Sequence, residues 1–195
     1  MTIFNGQAVF TAGAAEIDRI PPYFLPEVAF IGKSNVGKSS LINTVCNHHN
    51  LAKVSKTPGR TQQINFFTIA NKIILVDLPG YGFADVPNYK HQEWEKLILY
   101  YLKNRYNLKL VNVLIDARRN IKSHDLEILS LLSSYNKHFQ IVFTKIDKIS
   151  DKAELLNSSK NLLASLGYSC NLITTSSRSR EGAKELQFSL ERIRS

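Results

Sequence analysis

One stretch of the chain constrains its fold more than any other. A short apolar run at residues 28–31 ends at Gly32, and the eight residues from Gly32 to Ser39 read GKSNVGKS. This is the pattern G-x-x-x-x-G-K-[ST], which needs a strand before the loop and a helix after it. We therefore predict a buried strand at 28–31 and a helix from about residue 38 to residue 49.

The loop between them predicts a phosphate site. Its glycines let the backbone fold into a nest of N–H groups, and the helix N-terminus adds favourable partial charge for an anion. Lys38 is expected to reach the β- and γ-phosphate oxygens of a nucleotide, and the Ser39 hydroxyl to bind Mg²⁺. A glycine-rich turn with no ligand is the alternative.

The remaining patterns alternate between strands and helices, which predicts an α/β fold with a mostly parallel sheet. Two apolar runs separated only by Asn71 predict a hairpin that adds one antiparallel strand at an edge. Ligands of such sheets bind at the carboxyl ends of the strands. The expected strands cover residues 64–70, 72–77, 109–116, 138–144 and 171–175, and the expected helices include Trp94 to Leu102, Leu126 to Leu132, residues 151–166 and Leu186 to Ile193.

Composition narrows the class of protein. The chain has 195 residues, 44% of them hydrophobic, which favours one globular domain over a disordered chain. No apolar run approaches the roughly 20 residues of a membrane span, and the two cysteines have no ligand-like spacing, so we expect a reduced cytosolic protein. The net charge of +9 indicates either a polyanionic partner such as nucleic acid or a basic, solubilising surface.

Two loops after later strands carry candidate base-reading residues. The strand at 138–144 ends in Thr144, Lys145, Ile146 and Asp147, and a carboxylate there would accept from the guanine N1–H and amino group, which adenine does not offer together. Lys145 is expected to lay its stem along the base. The last strand leads into Thr175, Ser176 and Ser177, whose backbone could contact the guanine O6.

Two further segments predict contacts around the terminal phosphate. Asp77, Leu78, Pro79 and Gly80 follow the second hairpin strand, where Asp77 would hold Mg²⁺ through water and the Gly80 N–H would meet the γ-phosphate. A threonine or serine before the hairpin could coordinate Mg²⁺ when that phosphate is present. The candidates are Ser55, Thr57 and Thr61, of which Thr61 lies just before the edge strand.

Taken in order, GKSNVGKSSLIN, SKTPGRTQ, VDLPGYGFA and TKID resemble the EngB family (YihA or YsxC) of ribosome-assembly GTPases. This family belongs to the translation-factor-related P-loop GTPases that also include TrmE, Era, EngA and the septins. The resemblance implies a three-layer Ras-like fold with a six-stranded sheet and helices on both faces. It also implies an N-terminal extension at 1–25 packed on a single G domain at 26–195, and a monomer in the cytoplasm with no membrane attachment.

The same resemblance implies slow, Mg²⁺-dependent hydrolysis of GTP to GDP and phosphate. It implies a switch in assembly of the bacterial large ribosomal subunit, needed for normal cell division and septation. Lys38, Thr61 and Gly80 would be catalytic, and Ser39 and Thr61 would ligate Mg²⁺, with Asp77 acting through water. The implied GTP-binding residues are Gly32, Lys33, Ser34, Asn35, Val36, Gly37, Lys38, Ser39, Gly59, Arg60, Thr61, Gln62, Gln63, Asp77, Leu78, Pro79, Gly80, Thr144, Lys145, Ile146, Asp147, Thr175, Ser176 and Ser177.

Tyr81 departs from the Ras pattern, because it follows Gly80 where Ras-like enzymes carry a water-orienting glutamine. Intrinsic hydrolysis should therefore be slow unless a partner or cation supplies the missing group. Asn35 is a candidate for holding K⁺ beside the phosphates, with a simple turn residue as the alternative. Other functions that remain open are a GTPase acting directly on the division machinery and a metabolic P-loop phosphotransferase.

Overall fold

The computed structural model describes residues 2–53, 63–80 and 88–194. Within them, seven strands form one sheet in the order β1-β3-β4-β2-β5-β6-β7. The strands are β1 Ala8–Ala14, β2 Glu27–Gly32, β3 Ile64–Ile69, β4 Ile73–Asp77, β5 Leu108–Asp116, β6 Phe139–Thr144 and β7 Leu172–Thr174. The helices are α1 Lys38–Val45, α2 Asn88–Asn104, α3 Ser123–Ser134, α4 Lys152–Ser165 and α5 Ala183–Glu191.

The layered α/β architecture predicted from the sequence is confirmed. One apolar cluster packs side chains of α2, α3 and α4, such as Leu102, Leu129 and Leu163, against one face of the sheet. A second cluster packs Leu41 of α1 and Leu186 of α5 against the other face. The central strand β2 is buried along its whole length, as its apolar sequence predicts.

The predicted number of strands was wrong, and so was the predicted position of the antiparallel strand at an edge of the sheet. The sheet has seven strands rather than six, because residues 8–14 pair antiparallel with β3 and form an additional edge strand. The antiparallel strand of the hairpin, β3, therefore lies inside the sheet between β1 and β4. Phe10 of β1 packs edge-on against Phe67 of β3, with ring centroids 5.8 Å apart. This contact joins residues far apart in sequence, which periodicity along one segment does not reveal.

The first helix ends earlier than predicted. It stops at Val45, and the Cys46 N–H bonds to the carbonyl of Ile42. Asn47 then adopts a left-handed backbone conformation with φ of 51°, which cannot continue a right-handed helix.

In the described part of the chain, no helix is long and apolar enough to cross a bilayer.

A buried ion pair fixes the end of the sheet opposite the phosphate loop. Glu27, at the start of β2, is fully buried and accepts hydrogen bonds from Arg105 and from the Tyr101 hydroxyl. Arg105 also donates to the carbonyl of Pro21 at 2.7 Å. Because a buried charge needs a partner, this network ties β2, the end of α2 and the N-terminal segment into one arrangement.

Gly182, at the start of α5, lies against the end of β7. Its φ is 72°, and an added Cβ would lie 1.9 Å from the carbonyl oxygen of Thr174. Gly167, after α4, has a similar φ of 78° but nothing within 4 Å of its Cβ position. The two glycines therefore share the left-handed backbone and differ in the space around it.

We predict that Gly182→Ala destabilises the protein by about 3 kcal/mol or more, because it adds a backbone clash to the left-handed strain. Gly167→Ala, the matched control, should cost only about 1 kcal/mol, since it meets the strain alone. Urea unfolding of the two variants and the parent chain measures both losses. Equal losses would contradict the assignment of a clash between Gly182 and β7.

Candidate functional site

The phosphate loop lies between β2 and α1, as its sequence predicts. Gly32 ends β2 so close to β5 that an added Cβ would lie 2.8 Å from the carbonyl oxygen of Leu114. Asn35 and Gly37 have φ values of 61° and 105°, so the loop alternates into left-handed conformations. Left-handed residues within a short loop are typical of the backbone nests that bind anions.

A buried ion pair lies beside this loop. The Lys38 ammonium, at the first position of α1, contacts the carboxylate of Asp77 at the end of β4. Lys38 is 8% exposed and Asp77 is 2% exposed. Lys38, predicted to contact phosphates, and Asp77, predicted to act on Mg²⁺, are therefore adjacent. Ser39 follows Lys38 directly as the second residue of α1.

The base-reading strand is tied directly to the phosphate loop. The Thr144 hydroxyl donates to the carbonyl of Val36 at 2.7 Å, and the Lys145 ammonium donates to the carbonyl of Asn35 at 2.7 Å. The Lys145 stem passes over Gly37, 3.8 Å from the position of a Cβ on that glycine. Two neighbouring side chains thus fix the loop predicted to bind phosphates relative to the strand that leads to the predicted base-reading residues.

Asp147 is held by the last strand's loop. The Ser176 hydroxyl donates to Asp147 Oδ1 at 2.7 Å, and the N–H of Ile146 donates to the carbonyl of Thr175 at 3.1 Å. The hydrogen bond from Ser176 lowers the pKa of Asp147, so the side chain is an ionised acceptor near neutral pH. Thr175 and Ser176 are each 1% exposed, whereas Ser177 is half-buried.

The segment after β4 packs onto the phosphate loop. The Leu78 N–H bonds to the carbonyl of Phe30 at 3.1 Å, and Leu78 and Pro79 are buried. Gly80 lies against the loop, because an added Cβ would lie 3.1 Å from the carbonyl oxygen of Gly32. Gly80 therefore lies in contact with the phosphate loop, while its predicted contact with the γ-phosphate stays a prediction.

Asp116, the last residue of β5, is a site residue that the sequence reasoning missed. Arg118 donates to both of its oxygens, at 2.9 and 2.7 Å, and Lys145 donates to Oδ2 at 2.9 Å. Burial alone would raise its pKa, but these bonds hold the pKa of Asp116 well below its usual range. The sequence contains a signal for including Asp116 in the site, because this residue ends a parallel strand at the same edge of the sheet as Asp77 and Asp147.

One described residue among the predicted ones, Gln63, is not brought into this cluster. Gln63 donates to Asn65 at 2.9 Å and lies beside Gly13 of β1. The switch candidates and the residue after Gly80 lie outside the described residues; they are Ser55, Thr57, Gly59, Arg60, Thr61, Gln62 and Tyr81.

The residues present fit a magnesium ion bound together with phosphates. Ser39 and Asp77 offer a hydroxyl and a carboxylate, the hard oxygen ligands that Mg²⁺ prefers. Over residues 2–53, 63–80 and 88–194, no group of three or more His, Cys, Asp or Glu side chains forms a metal cage. Mg²⁺ commonly keeps waters and takes one or two protein ligands plus phosphate oxygens, so this donor set suits it.

Comparison with known proteins places this geometry in a family. The model of the 50S ribosome-binding GTPase family matches residues 27–145, which is more than half of the chain and spans the phosphate loop to Lys145. A "probable GTP-binding protein EngB" of Rickettsia felis is 60% identical over 96% of this chain and 89% of its own length.

Solved structures agree on the fold. A crystal structure of a probable GTP-binding protein EngB superposes with a TM-score of 0.70 at 22% identity, covering 86% of this chain and 98% of that one. Era in complex with MgGDPNP and a 16S ribosomal RNA fragment gives a TM-score of 0.71 at 21% identity, covering 87% of this chain and 56% of that one. The family model and the matching relatives show that the chain belongs to the EngB family of 50S ribosome-binding GTPases, in agreement with its phosphate loop and the residues tied to it.

Proposed function

We propose that this GTPase is a GTP-driven switch in assembly of the bacterial large ribosomal subunit and is needed for normal cell division and septation. The observation that carries the nucleotide part is the pair of hydrogen bonds from Thr144 and Lys145 to the phosphate loop, beside the ionised Asp147. The family description, 50S ribosome-binding GTPase, supports the ribosomal part. In this proposal the protein works in the cytoplasm as a monomer, without membrane attachment.

We also propose that residues 1–25 are an extension packed on a single G domain at 26–195. The extension contributes β1 to the sheet through its pairing with β3. Its carbonyl groups at Pro21 and Tyr23 accept hydrogen bonds from Arg105 and Asn107. These contacts make the extension part of the same packed unit.

The proposed chemistry is slow hydrolysis of GTP. Backbone N–H groups of residues 32–39 and the Lys38 ammonium bind the phosphates, while Ser39, Thr61 and Asp77 are assigned to Mg²⁺. A Mg²⁺ ion held by these residues would supply positive charge that neutralises the charge developing on the phosphates. Gly80 is assigned to donate its N–H to the γ-phosphate, and its close contact with the loop supports this assignment.

Asp147 is assigned to guanine recognition. An ionised carboxylate accepts from both N1–H and the 2-amino group of guanine, and xanthine carries an oxygen in place of that amino group. Asp147→Asn replaces one acceptor with a donor. We therefore predict that it weakens GTP binding by at least about 10²-fold while improving binding of XTP.

Titration of both nucleotides into the two proteins measures this change. Asp151→Asn is the matched control, since Asp151 is exposed and caps α4 by accepting from the Glu154 N–H at 2.8 Å, which asparagine also does. Equal losses of GTP and XTP binding in the Asp147 variant would limit Asp147 to a structural role.

Asn35 is proposed to hold K⁺ beside the phosphates. Its φ of 61° suits asparagine or glycine, and its carbonyl already accepts from Lys145. The side-chain amide oxygen is the ligand that this proposal assigns to the cation.

We predict faster turnover of GTP in KCl than in NaCl at equal ionic strength. Asn35→Gly keeps the left-handed backbone and removes only the amide, so its turnover should be the same in both salts. The steady-state release of phosphate measures both rates. Equal rates for the parent chain in KCl and NaCl would rule out the potassium site.

Exposed basic residues surround the nucleotide side of the sheet. They follow three parallel strands at the same edge: Lys33 after β2, Arg118, Arg119 and Lys122 after β5, and Arg178, Arg180 and Lys184 after β7. We call this set the basic rim. Its charge suits the phosphates of ribosomal RNA, which fix register and orientation without reading sequence.

We predict that Arg119→Glu with Lys122→Glu lowers affinity for the large ribosomal subunit and reduces the slope of log affinity against log salt by about 1.5. Lys72→Glu with Lys109→Glu is the matched control, because both lysines are exposed at the other end of the sheet and the charge change is equal. Co-sedimentation with purified subunits over a salt series measures both slopes.

The same assay compares a non-hydrolysable GTP analogue, GDP and no nucleotide. Binding to the large subunit only with the GTP analogue is the expected result. Equal binding in all three states, with identical slopes for the two charge variants, would mean that the positive charge causes only non-specific attraction to RNA. No binding by protein shown to hold GTP would favour the division machinery as the partner.

A further inference from the structure

Ser34, the third residue of the phosphate loop, carries a feature that the loop pattern does not explain. Among residues 2–53, 63–80 and 88–194, its Oγ is the buried side-chain polar atom that has no hydrogen-bond partner. Such a hydroxyl is unfavourable in a folded protein, because it has lost water and gained no protein partner. An unexplained polar atom of this kind indicates a partner that the described residues do not supply.

The position of the hydroxyl narrows what that partner is. It lies where the phosphate loop meets the segment after β4, because a Cβ on Gly80 would lie 3.2 Å from both Ser34 Oγ and Ser34 N. Gly80 also approaches the carbonyl oxygen of Gly32, so the two segments are in contact on either side of this hydroxyl. The hydroxyl therefore lies at the junction of the two segments assigned to the terminal phosphate.

The surrounding charge identifies the chemical class. The loop offers backbone N–H groups, a helix N-terminus and the buried Lys38 ammonium, all of which favour an anion. A serine hydroxyl adds a donor that can rotate toward a phosphoryl oxygen. At the Gly80 side of the loop that oxygen belongs to the third phosphate, which GDP lacks.

We infer that the Ser34 hydroxyl donates a hydrogen bond to the γ-phosphate of GTP and so contributes to discrimination between GTP and GDP. The inference rests on the proposed nucleotide site and adds a side-chain role to a loop whose other phosphate contacts come from the backbone and Lys38. A hydrogen bond to a charged oxygen is stronger than one between neutral groups. Ser34 is thus a specificity residue whose effect appears only with a triphosphate.

The test compares Ser34→Ala with Ser40→Ala in the full chain. Ser40 lies in α1, two residues beyond Lys38, and its side chain has no role in the proposed site, so it controls for loss of a serine hydroxyl nearby. Ser34→Ala should weaken binding of a non-hydrolysable GTP analogue about tenfold and change GDP binding less than about twofold. Calorimetric titration of each nucleotide with Mg²⁺ measures both affinities.

Thermal unfolding without nucleotide separates this role from a structural one. Removing an unsatisfied hydroxyl should leave the Tm of Ser34→Ala equal to or above that of the parent chain. A clear fall in Tm, or an equal loss of affinity for GDP and the GTP analogue, would show that the hydroxyl supports the loop instead. Unchanged affinity for both nucleotides would also overturn the inference.

Two further results keep the test decisive. If the alanine variant folds poorly, Ser34→Cys retains nearly the same size with a much weaker donor, and it should show the same selective loss. Failure of the parent chain and Ser40→Ala to bind either nucleotide would overturn the proposed nucleotide site itself. That outcome differs from selective behaviour confined to Ser34 variants.

Discussion

Two hydrogen bonds hold the two halves of the site together. Thr144 and Lys145 donate to consecutive carbonyls of the phosphate loop, those of Val36 and Asn35. The partners are 108 and 110 residues apart in sequence, so the bonds form only when β2, β5 and β6 are in register. Once formed, they fix the loop predicted to bind phosphates relative to the residues predicted to read the base.

The sheet can hold the two halves of the site in place because separate interactions fix its two ends. At the far end, Glu27 is neutralised by Arg105 and bonded to Tyr101, so β2 cannot slide along its neighbours without leaving a buried charge unpaired. In the middle, Gln140 of β6 donates to Asn112 of β5 at 2.7 Å, and Ser189 of α5 donates to Gln140 at 2.7 Å. Polar bonds inside an apolar core specify one strand register, since every other register would leave them unsatisfied.

The sequence predicted the elements that local patterns determine. The hairpin was readable because Asn71 alone interrupts two apolar runs, and Asn71 indeed turns with a positive φ of 53°. The local pattern of Ala8–Ala14 does not predict a strand, since apolar and polar residues do not alternate along it and β1 exists through pairing with β3. The end of α1 was misplaced because the left-handed conformation of Asn47 is not encoded by the apolar spacing.

For the candidate site, motifs indicated which residues belong together but not how they contact each other. The loop residues and Asp147 could be selected from sequence, because short patterns state their chemistry. Asp116 was overlooked, since its place in the site depends on a contact with Lys145, which follows a different strand, β6. The unpartnered Ser34 hydroxyl was equally invisible, because burial of one oxygen is decided by the approach of Gly80.

In the proposed switch, contacts to the guanine base and contacts to the third phosphate have different roles. Arg118 and Arg178 each lie two residues beyond a site residue, Asp116 or Ser176, so the base-side loops also carry the basic rim. Guanine is common to GTP and GDP, and contacts to the base can therefore order these loops in either nucleotide state. In the proposed switch, discrimination between the two states must come from groups beside the third phosphate, the role inferred for Ser34 next to Gly80. A partner that binds only one state would need contacts with that side of the loop as well as with the rim.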